Sequence, residues 1–337
     1  MAQEFTMEKI IVEPKISMSH VGRVIELISE IPYFKEKDAR VNQIEILPGG
    51  LTNHNFKVTI DGEMYALRLA GEGTLEYLDR PAEKHNAGLM SDMRINARVI
   101  YYDETTGNQV CEYIDGKTLH VEDFHDPENL KKAALIFHKY HTCGKEFLSE
   151  FDPIKITDGY NDLLMQKKVE LYDGYGDVWK KVEEIKRAFE INPQKPGPSH
   201  NDPLPENYLL DHRGMWLIDW EYSGMTDPMF DLGDFSVEMA LNEEEDKLFL
   251  EEYFGGTVTL GKYGLVVIHK FLCDVLWSAW AVLQIATGKS REWYWTYGLN
   301  RFNRCLKLMN GEYFDEYIQA VKDNSEDIYS RRRVGAV

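Results

Sequence analysis

In the stretch NFKVTIDGEMYALRLAG, apolar and polar positions alternate. Phe56, Val58 and Ile60 take every second place, Asp61-Gly62 interrupts, and Tyr65, Leu67 and Leu69 resume the alternation. This predicts two antiparallel strands joined by a tight turn. Ala66 and Arg68 then share the face opposite Leu67 and Leu69. A second hairpin is predicted over 97–114, turning at residues 105–108, and a helix precedes both at 16–30. After Asp115-Gly116 the period changes. Leu130, Ala134, Phe137 and His141 fall on one helix face, and helical patterns cover 161–190, 240–254, 263–287 and 291–323. Within this helical half, Tyr208-Leu209-Leu210 and residues 215–218 flank the turn formers Asp211-His212-Arg213-Gly214, predicting one more small hairpin. No internal repeat or low-complexity tract interrupts the chain. The predicted architecture is α+β: a small β-rich lobe over 1–114, a hinge at 111–117 and a larger, mostly helical lobe over 118–337.

Composition narrows the partners more than the fold. With 337 residues, 43% of them hydrophobic and 28% charged, the chain is long enough for two lobes with real cores. A net charge of −19 argues against a nucleic-acid partner, and fits cationic small molecules, metals or a solvated acidic surface. Cys111, Cys143, Cys273 and Cys305 are far apart and form no Cys-x-x-Cys pair, so neither a disulfide framework nor a zinc site follows, and a cytoplasmic location is expected. The start MAQEFTMEKI has no apolar run of the signal-peptide kind. The most apolar stretch, 263–286, carries His269, Lys270 and Asp274 and reads as a buried helix rather than a membrane span. His138 and His141 lack a third ligand at suitable spacing and read as packed or hydrogen-bonded. The acidic run Glu243-Glu244-Glu245-Asp246 suits a helix start, and Arg331-Arg332-Arg333 reads as a solvated tail.

The densest chemistry lies in SHNDPLPENYLLDHRGMWLIDWE: His200-x-Asp202-x4-Asn207, a hairpin, then Asp219. Phosphoryl transfer from a nucleotide asks a protein for positioning, for Mg²⁺ to neutralise phosphate charge and for a carboxylate near the attacking hydroxyl. Mg²⁺ takes oxygen ligands and keeps several waters, so Asn207 and Asp219 suffice as its protein ligands. Asp202 is the candidate acceptor of the hydroxyl proton, on a loop stiffened by Pro203 and Pro205. The alternative for each residue alone is a turn-rich loop with solvated acids; the ordered set favours the kinase reading.

His-x-Asp-x4-Asn followed by Ile-Asp resembles the aminoglycoside phosphotransferase and choline kinase superfamily, whose fold is protein-kinase-like. The resemblance implies Asp202 as catalytic base, Asn207 and Asp219 as Mg²⁺ ligands, and His200 as a brace for the loop. It extends to Gly49-Gly50-Leu51-Thr52-Asn53 before the first hairpin, in the place of a phosphate-covering loop, which puts Gly50, Thr52 and Asn53 at the nucleotide. Arg68 matches the basic residue that contacts nucleotide phosphates, Glu83 in RPAEKHNAG matches its helix partner, and Cys111-Glu112-Tyr113-Ile114 matches the hinge, with Glu112 and Ile114 offering backbone groups to adenine.

Within the superfamily, Ile218-Asp219-Trp220-Glu221-Tyr222, followed by Asp231-Leu232-Gly233-Asp234-Phe235 and Glu238, resembles choline and ethanolamine kinases. Asp234-Phe235 stands where eukaryotic members have Asn-His-Phe, as in a bacterial branch. Trp277 and Trp280 lie one turn apart on a helical pattern, with Gln284 on the same face. Such a pair is either core or two walls of a cage binding a quaternary ammonium, at about 0.5–2 kcal/mol per ring. The resemblance favours the cage, with Trp293, Tyr297 and Tyr222 as further rings and Glu221 and Glu238 balancing the ammonium charge. It implies ATP- and Mg²⁺-dependent phosphorylation of choline, with no nucleic acid partner and no membrane span. The alternatives are an ethanolamine or aminoglycoside kinase, or, from a different class, a catalytically dead amine-binding relative.

Overall fold

A computed structural model describes residues 10–48, 53–71, 73 and 78–329. These form two compact units. The first holds the described residues up to Leu119 together with Glu206–Tyr222; the second holds His120–Pro205 and the described residues from Ser223 onward. The catalytic-loop candidates are therefore divided in sequence: Asp202 belongs to the second unit, and Asn207 and Asp219 to the first.

The first unit is built on a six-stranded sheet in the order Ile11–Val12, Val41–Ile46, His54–Ile60, Glu63–Leu69, Gln109–Glu112, Val99–Tyr102. The short first strand pairs in parallel, and the other neighbours are antiparallel. The alternation seen in the sequence pairs Phe56 with Leu67 and Val58 with Tyr65. Asp61 and Gly62 turn the hairpin with φ of 49° and 84°, the left-handed pair that matches strand twist. Val41–Ile46 escapes a period-two reading because the register shifts between Val41 and Gln43, so the buried positions are Val41 and Ile44. The helix Met18–Glu30 buries Val21, Val24 and Ile28 in the same core as Phe56, Val58, Leu67 and Val110. The hairpin Tyr208–Asp211 and Gly214–Leu217 joins Lys117–Thr118 in a separate three-stranded sheet.

The second unit is helical around Leu260–Ala286, whose flanks pack against Pro153–Lys167, Pro228–Glu238, Arg291–Met309 and Phe314–Lys322. This helix is long and apolar enough to cross a membrane, but most of its apolar stretch is buried inside the protein. Gly233 permits the closest approach: a Cβ there would lie 2.8 Å from the Lys270 nitrogen and 2.9 Å from the His269 carbonyl carbon. Two predicted helical spans are each divided. The span 161–190 breaks where Lys168 takes a left-handed conformation, φ 50°, and Tyr172 turns into the core before Tyr175–Ile191 begins. The span 291–323 breaks at Asn310-Gly311, a pair that ends helices readily. The acidic run opens the helix Glu243–Phe254, where Asn242 and Glu245 form a capping box. Arg331-Arg332-Arg333 lies outside the described residues.

Candidate functional site

Asp202 sits on a loop held from beneath by one carboxylate. Asp231, fully buried on the helix Pro228–Glu238, accepts the backbone N–H of His200 at 2.7 Å through Oδ2 and that of Asn201 at 2.7 Å through Oδ1. The same Oδ2 accepts the Tyr140 hydroxyl at 2.6 Å and His141 Nε2 at 3.0 Å. Burial alone would raise the Asp231 carboxyl, yet His141, His200 and Tyr140 hold it below its ordinary range. His200 is buried, and its Nδ1 accepts the Asp202 N–H at 3.3 Å. Asn201 takes φ 66°, a conformation Asn tolerates better than most residues. Asp202 itself is half-buried. The Asp231 carboxylate thus fixes the backbone of the loop that carries Asp202. Asp231 carries no role in the sequence reading. Its signal was a carboxylate set between Phe230 and Leu232 on an apolar helix, a place where charge survives only with donors around it.

In the first unit, Arg68 lies 4% exposed on the sheet face predicted from the alternation. Its Nη2 meets Glu83 Oε1 at 2.6 Å and donates to the Gly107 carbonyl at 3.0 Å. Glu83 comes from the helix Arg80–Asp92, started by Asp79 capping the Ala82 N–H and by Pro81 in the first turn. Arg80 Nη1 also reaches Glu83, at 2.5 Å, and the Tyr102 hydroxyl donates to the same carboxylate. Burial would lower the Arg68 guanidinium; Glu83, Asp219 and Glu221 override it, so Arg68 remains charged.

Asn207 and Asp219 come together through the hairpin. Tyr208 pairs with Leu217, and the Ile218 N–H donates to the Asn207 carbonyl at 2.9 Å, which sets Asp219 beside Asn207. Asp219 is forced into φ 67°, and its Oδ1 lies 3.5 Å from Arg68 Nη1. That oxygen is sealed from water and receives no hydrogen bond among the described residues. Loss of water first, then the Glu221 carboxylate, push Asp219 up to about 7 against the pull of Arg68. A carboxylate with an unsatisfied oxygen, on a residue the hairpin sets near Asn207, fits a hard divalent cation, which would supply the missing charge.

Glu221 lies among the arginines of the first unit. Its Oε2 receives Asn53 Nδ2 at 3.1 Å and lies 3.3 Å from Arg80 Nη1 and 3.7 Å from Arg68 Nη1. Its charge is shared with two guanidiniums of the first unit. Asn53 thereby braces the arginine cluster, and its Oδ1 accepts the Gly71 N–H at 3.2 Å. Gly50 and Thr52 lie outside the described residues. In the stretch 111–117, which lies inside the first unit, Glu112 donates its N–H to the Arg98 carbonyl and binds Arg213 Nη1 at 2.6 Å through its side chain, while the Ile114 carbonyl accepts the Gly116 N–H at 2.9 Å.

The second unit carries an aromatic cluster. Trp277 and Trp280 are half-buried, with ring centroids 5.9 Å apart at 86°. Trp280 also meets Tyr294 at 5.5 Å and Tyr297 at 6.0 Å, from the helix Arg291–Met309. Tyr294 is an additional ring, signalled by the run Trp293-Tyr294-Trp295. Trp293 stacks on Tyr297 at 5.2 Å and 11°, and 47% of Trp293 is exposed. Burial raises the Tyr297 phenol, Arg301 opposes this, and the charges of Glu238 and Asp202 add to the rise. Asp202 therefore lies within electrostatic reach of this cluster. Glu238 Oε1 is 2.6 Å from Arg301 Nη1. Tyr222 falls in the first unit with Glu221.

A buried arginine–glutamate pair on a curled antiparallel sheet, and a loop carboxylate on a helical scaffold, belong to the protein-kinase-like phosphotransferases that act on small molecules. A choline/ethanolamine kinase family model matches residues 44–252, and the chain belongs to that family. It is 27% identical to protein LicA of Haemophilus influenzae over 273 residues, covering 77% of this chain and 78% of that protein. The structure of a choline/ethanolamine kinase family protein from Mesorhizobium loti superposes with a TM-score of 0.80 at 33% identity, covering 90% of this chain and 99% of that one. Choline kinase LicA from Streptococcus pneumoniae gives 0.72 at 30% identity, covering 86% and 99%. The protein is a small-molecule kinase with an α+β, kinase-like fold.

Proposed function

We propose that the protein transfers the γ-phosphoryl group of ATP to the hydroxyl of choline, giving phosphocholine and ADP. The observation that carries this reading is the cluster of Trp277, Trp280, Tyr294 and Tyr297 in the same unit as the Asp202 loop. Asp202 accepts the hydroxyl proton as the alcohol oxygen bonds to phosphorus and the bond to the β–γ bridging oxygen breaks, releasing ADP. Asn207 and Asp219 would hold Mg²⁺, which supplies charge neutralisation of the phosphates when bound. Arg68, fixed by Glu83, would offer the positive charge for the nucleotide phosphates, and the backbone at Glu112 and Ile114 would offer hydrogen-bonding groups to adenine. Trp277 and Trp280, with Tyr294 beside them, receive the trimethylammonium group through their ring faces. The similarity to proteins described as choline kinases supports the same substrate, and a cytoplasmic location accords with this reading.

The commitment of Glu221 and Glu238 to arginines favours choline over ethanolamine, because a primary ammonium needs acceptors that rings do not provide. Release of ADP, followed with choline, dimethylethanolamine, ethanolamine and kanamycin, tests the assignment. Choline should give the highest kcat/KM, and Asp202→Ala should reduce turnover at least about a thousandfold, in line with loss of general-base and positioning contributions. Preference for ethanolamine, or turnover surviving the substitution, would reject it.

A further inference from the structure

Arg301 stands under the aromatic cluster with an arrangement the proposed reaction does not use. It is 7% exposed on the helix Arg291–Met309, with Nη1 2.6 Å from Glu238 Oε1 and 3.6 Å from Asp274 Oδ1. Its guanidinium carbon lies 4.7 Å from the Tyr297 ring centroid. Trp293 is one turn before Tyr297 and Arg301 one turn after it, and both lie against the phenol ring. Tyr297 thus meets both an indole and a cation that the protein itself supplies.

Glu238 and Asp274 are both paired with guanidiniums. Asp274 is also bound by Arg304, at 2.5 Å through Nη2, which gives two carboxylates and two guanidiniums. Asp234 accepts the Cys273 thiol at 2.9 Å, and burial followed by Glu238 raises it well above the carboxylate range. Asp234, Glu238 and Cys273 lie close enough to suggest a metal site, but Arg301 already supplies the positive charge.

We propose that Arg301 is a specificity-determining residue: by holding Glu238 and capping Tyr297, it denies the amine site a free carboxylate and so selects a fully alkylated ammonium over a primary one. The inference rests on the amine-kinase reading above and deepens it. A quaternary ammonium donates no classical hydrogen bond and loses little when no acceptor faces it. A primary ammonium has three donors and loses binding free energy for each one buried without a partner. Arg301 acts through Glu238 and Tyr297 and is a positioning residue, so its signature is a change in substrate ratio rather than a general loss of rate.

The test is kcat/KM for choline and for ethanolamine in the full-length protein and in Arg301→Gln and Arg301→Lys. In Arg301→Gln the ethanolamine-to-choline ratio should rise at least about tenfold, because Glu238 gains freedom to accept from a primary amine. Arg301→Lys restores the charge without the planar stack and should stay within about threefold of the parent ratio. A ratio within threefold in Arg301→Gln, or an equal shift in both variants, overturns the proposal, since the effect would then be one of packing. Should Arg301→Gln fail to fold, Glu238→Gln decides. An unchanged ratio, with both substrates weakened alike, supports a sequestered carboxylate, and a selective loss of ethanolamine overturns it. Failure of the underlying reading would appear separately, as absence of choline turnover in the unsubstituted protein.

Discussion

Replacing Asp231 by asparagine changes one oxygen to an amide nitrogen and removes a buried charge. Four donors converge on this carboxylate: two backbone N–H groups, a tyrosine hydroxyl and a histidine nitrogen. The least damaging orientation turns the new NH₂ towards the Asn201 N–H, because the other oxygen then still serves three donors. One buried backbone donor is left unmatched, at about 1–3 kcal/mol, and the remaining bonds lose their charge assistance. The sum is about 3 kcal/mol, roughly a 10 °C fall in melting temperature for a unit of this size. The orphaned donor lies next to Asp202, in a residue already at φ 66°, so the loop should relax and kcat should fall at least about tenfold. Thermal unfolding by circular dichroism and initial-rate kinetics read the two effects. The acid limb gives a further check. Asp231 is depressed in the folded state, so its contribution is present above the unfolded carboxylate value near about 4 and is lost as pH falls through the folded value. The gap between parent and variant should therefore narrow on acidification. A loss under about 1 kcal/mol, with kcat within threefold, would refute the claim that Asp231 holds the loop.

Three further outcomes follow from other parts of the molecule. Asp219 is raised to about 7, so between the unfolded value near about 4 and pH 7 the folded, metal-free protein keeps a proton the unfolded chain has lost, and stability should fall as pH rises through that window. Added Mg²⁺ should therefore raise the melting temperature more at pH 8 than at pH 5.5; an equal increment at both would exclude Asp219 as a ligand. Trp280→Leu should raise the KM for choline about tenfold, from the loss of one ring face, and leave the KM for ATP nearly unchanged; a choline KM within twofold would assign Trp280 to the core. Gly233→Ala would drive a methyl to 2.8 Å from the Lys270 nitrogen and should cost about 3 kcal/mol, seen as a lower urea midpoint, with no loss expected if the two helices can separate freely.

The chain on its own determined those features that depend on neighbours in sequence. The period-two alternation around Asp61-Gly62 specified the hairpin and the face that carries Arg68, because strand geometry leaves a side chain no other side to take. The spacing of Asp202, Asn207 and Asp219 around a turn-rich break was legible for the same reason: the hairpin that joins Asn207 to Ile218 is local. The helix boundary at Lys168 was not, since that break depends on where Tyr172 finds its packing, whereas the one at Asn310-Gly311 carried a local signal that the long helical period outweighed. Tertiary structure alone decided the fate of the charges. Glu221 and Glu238 read as counter-ions because any acidic residue near an amine motif qualifies, whereas the distances commit them to Arg68, Arg80 and Arg301. Asp231 became a hub only when residues 140, 141, 200 and 201 met around it. An ion pair or a hydrogen bond acts over a few ångströms, and residues some thirty to ninety places apart in the chain come within that range only after folding.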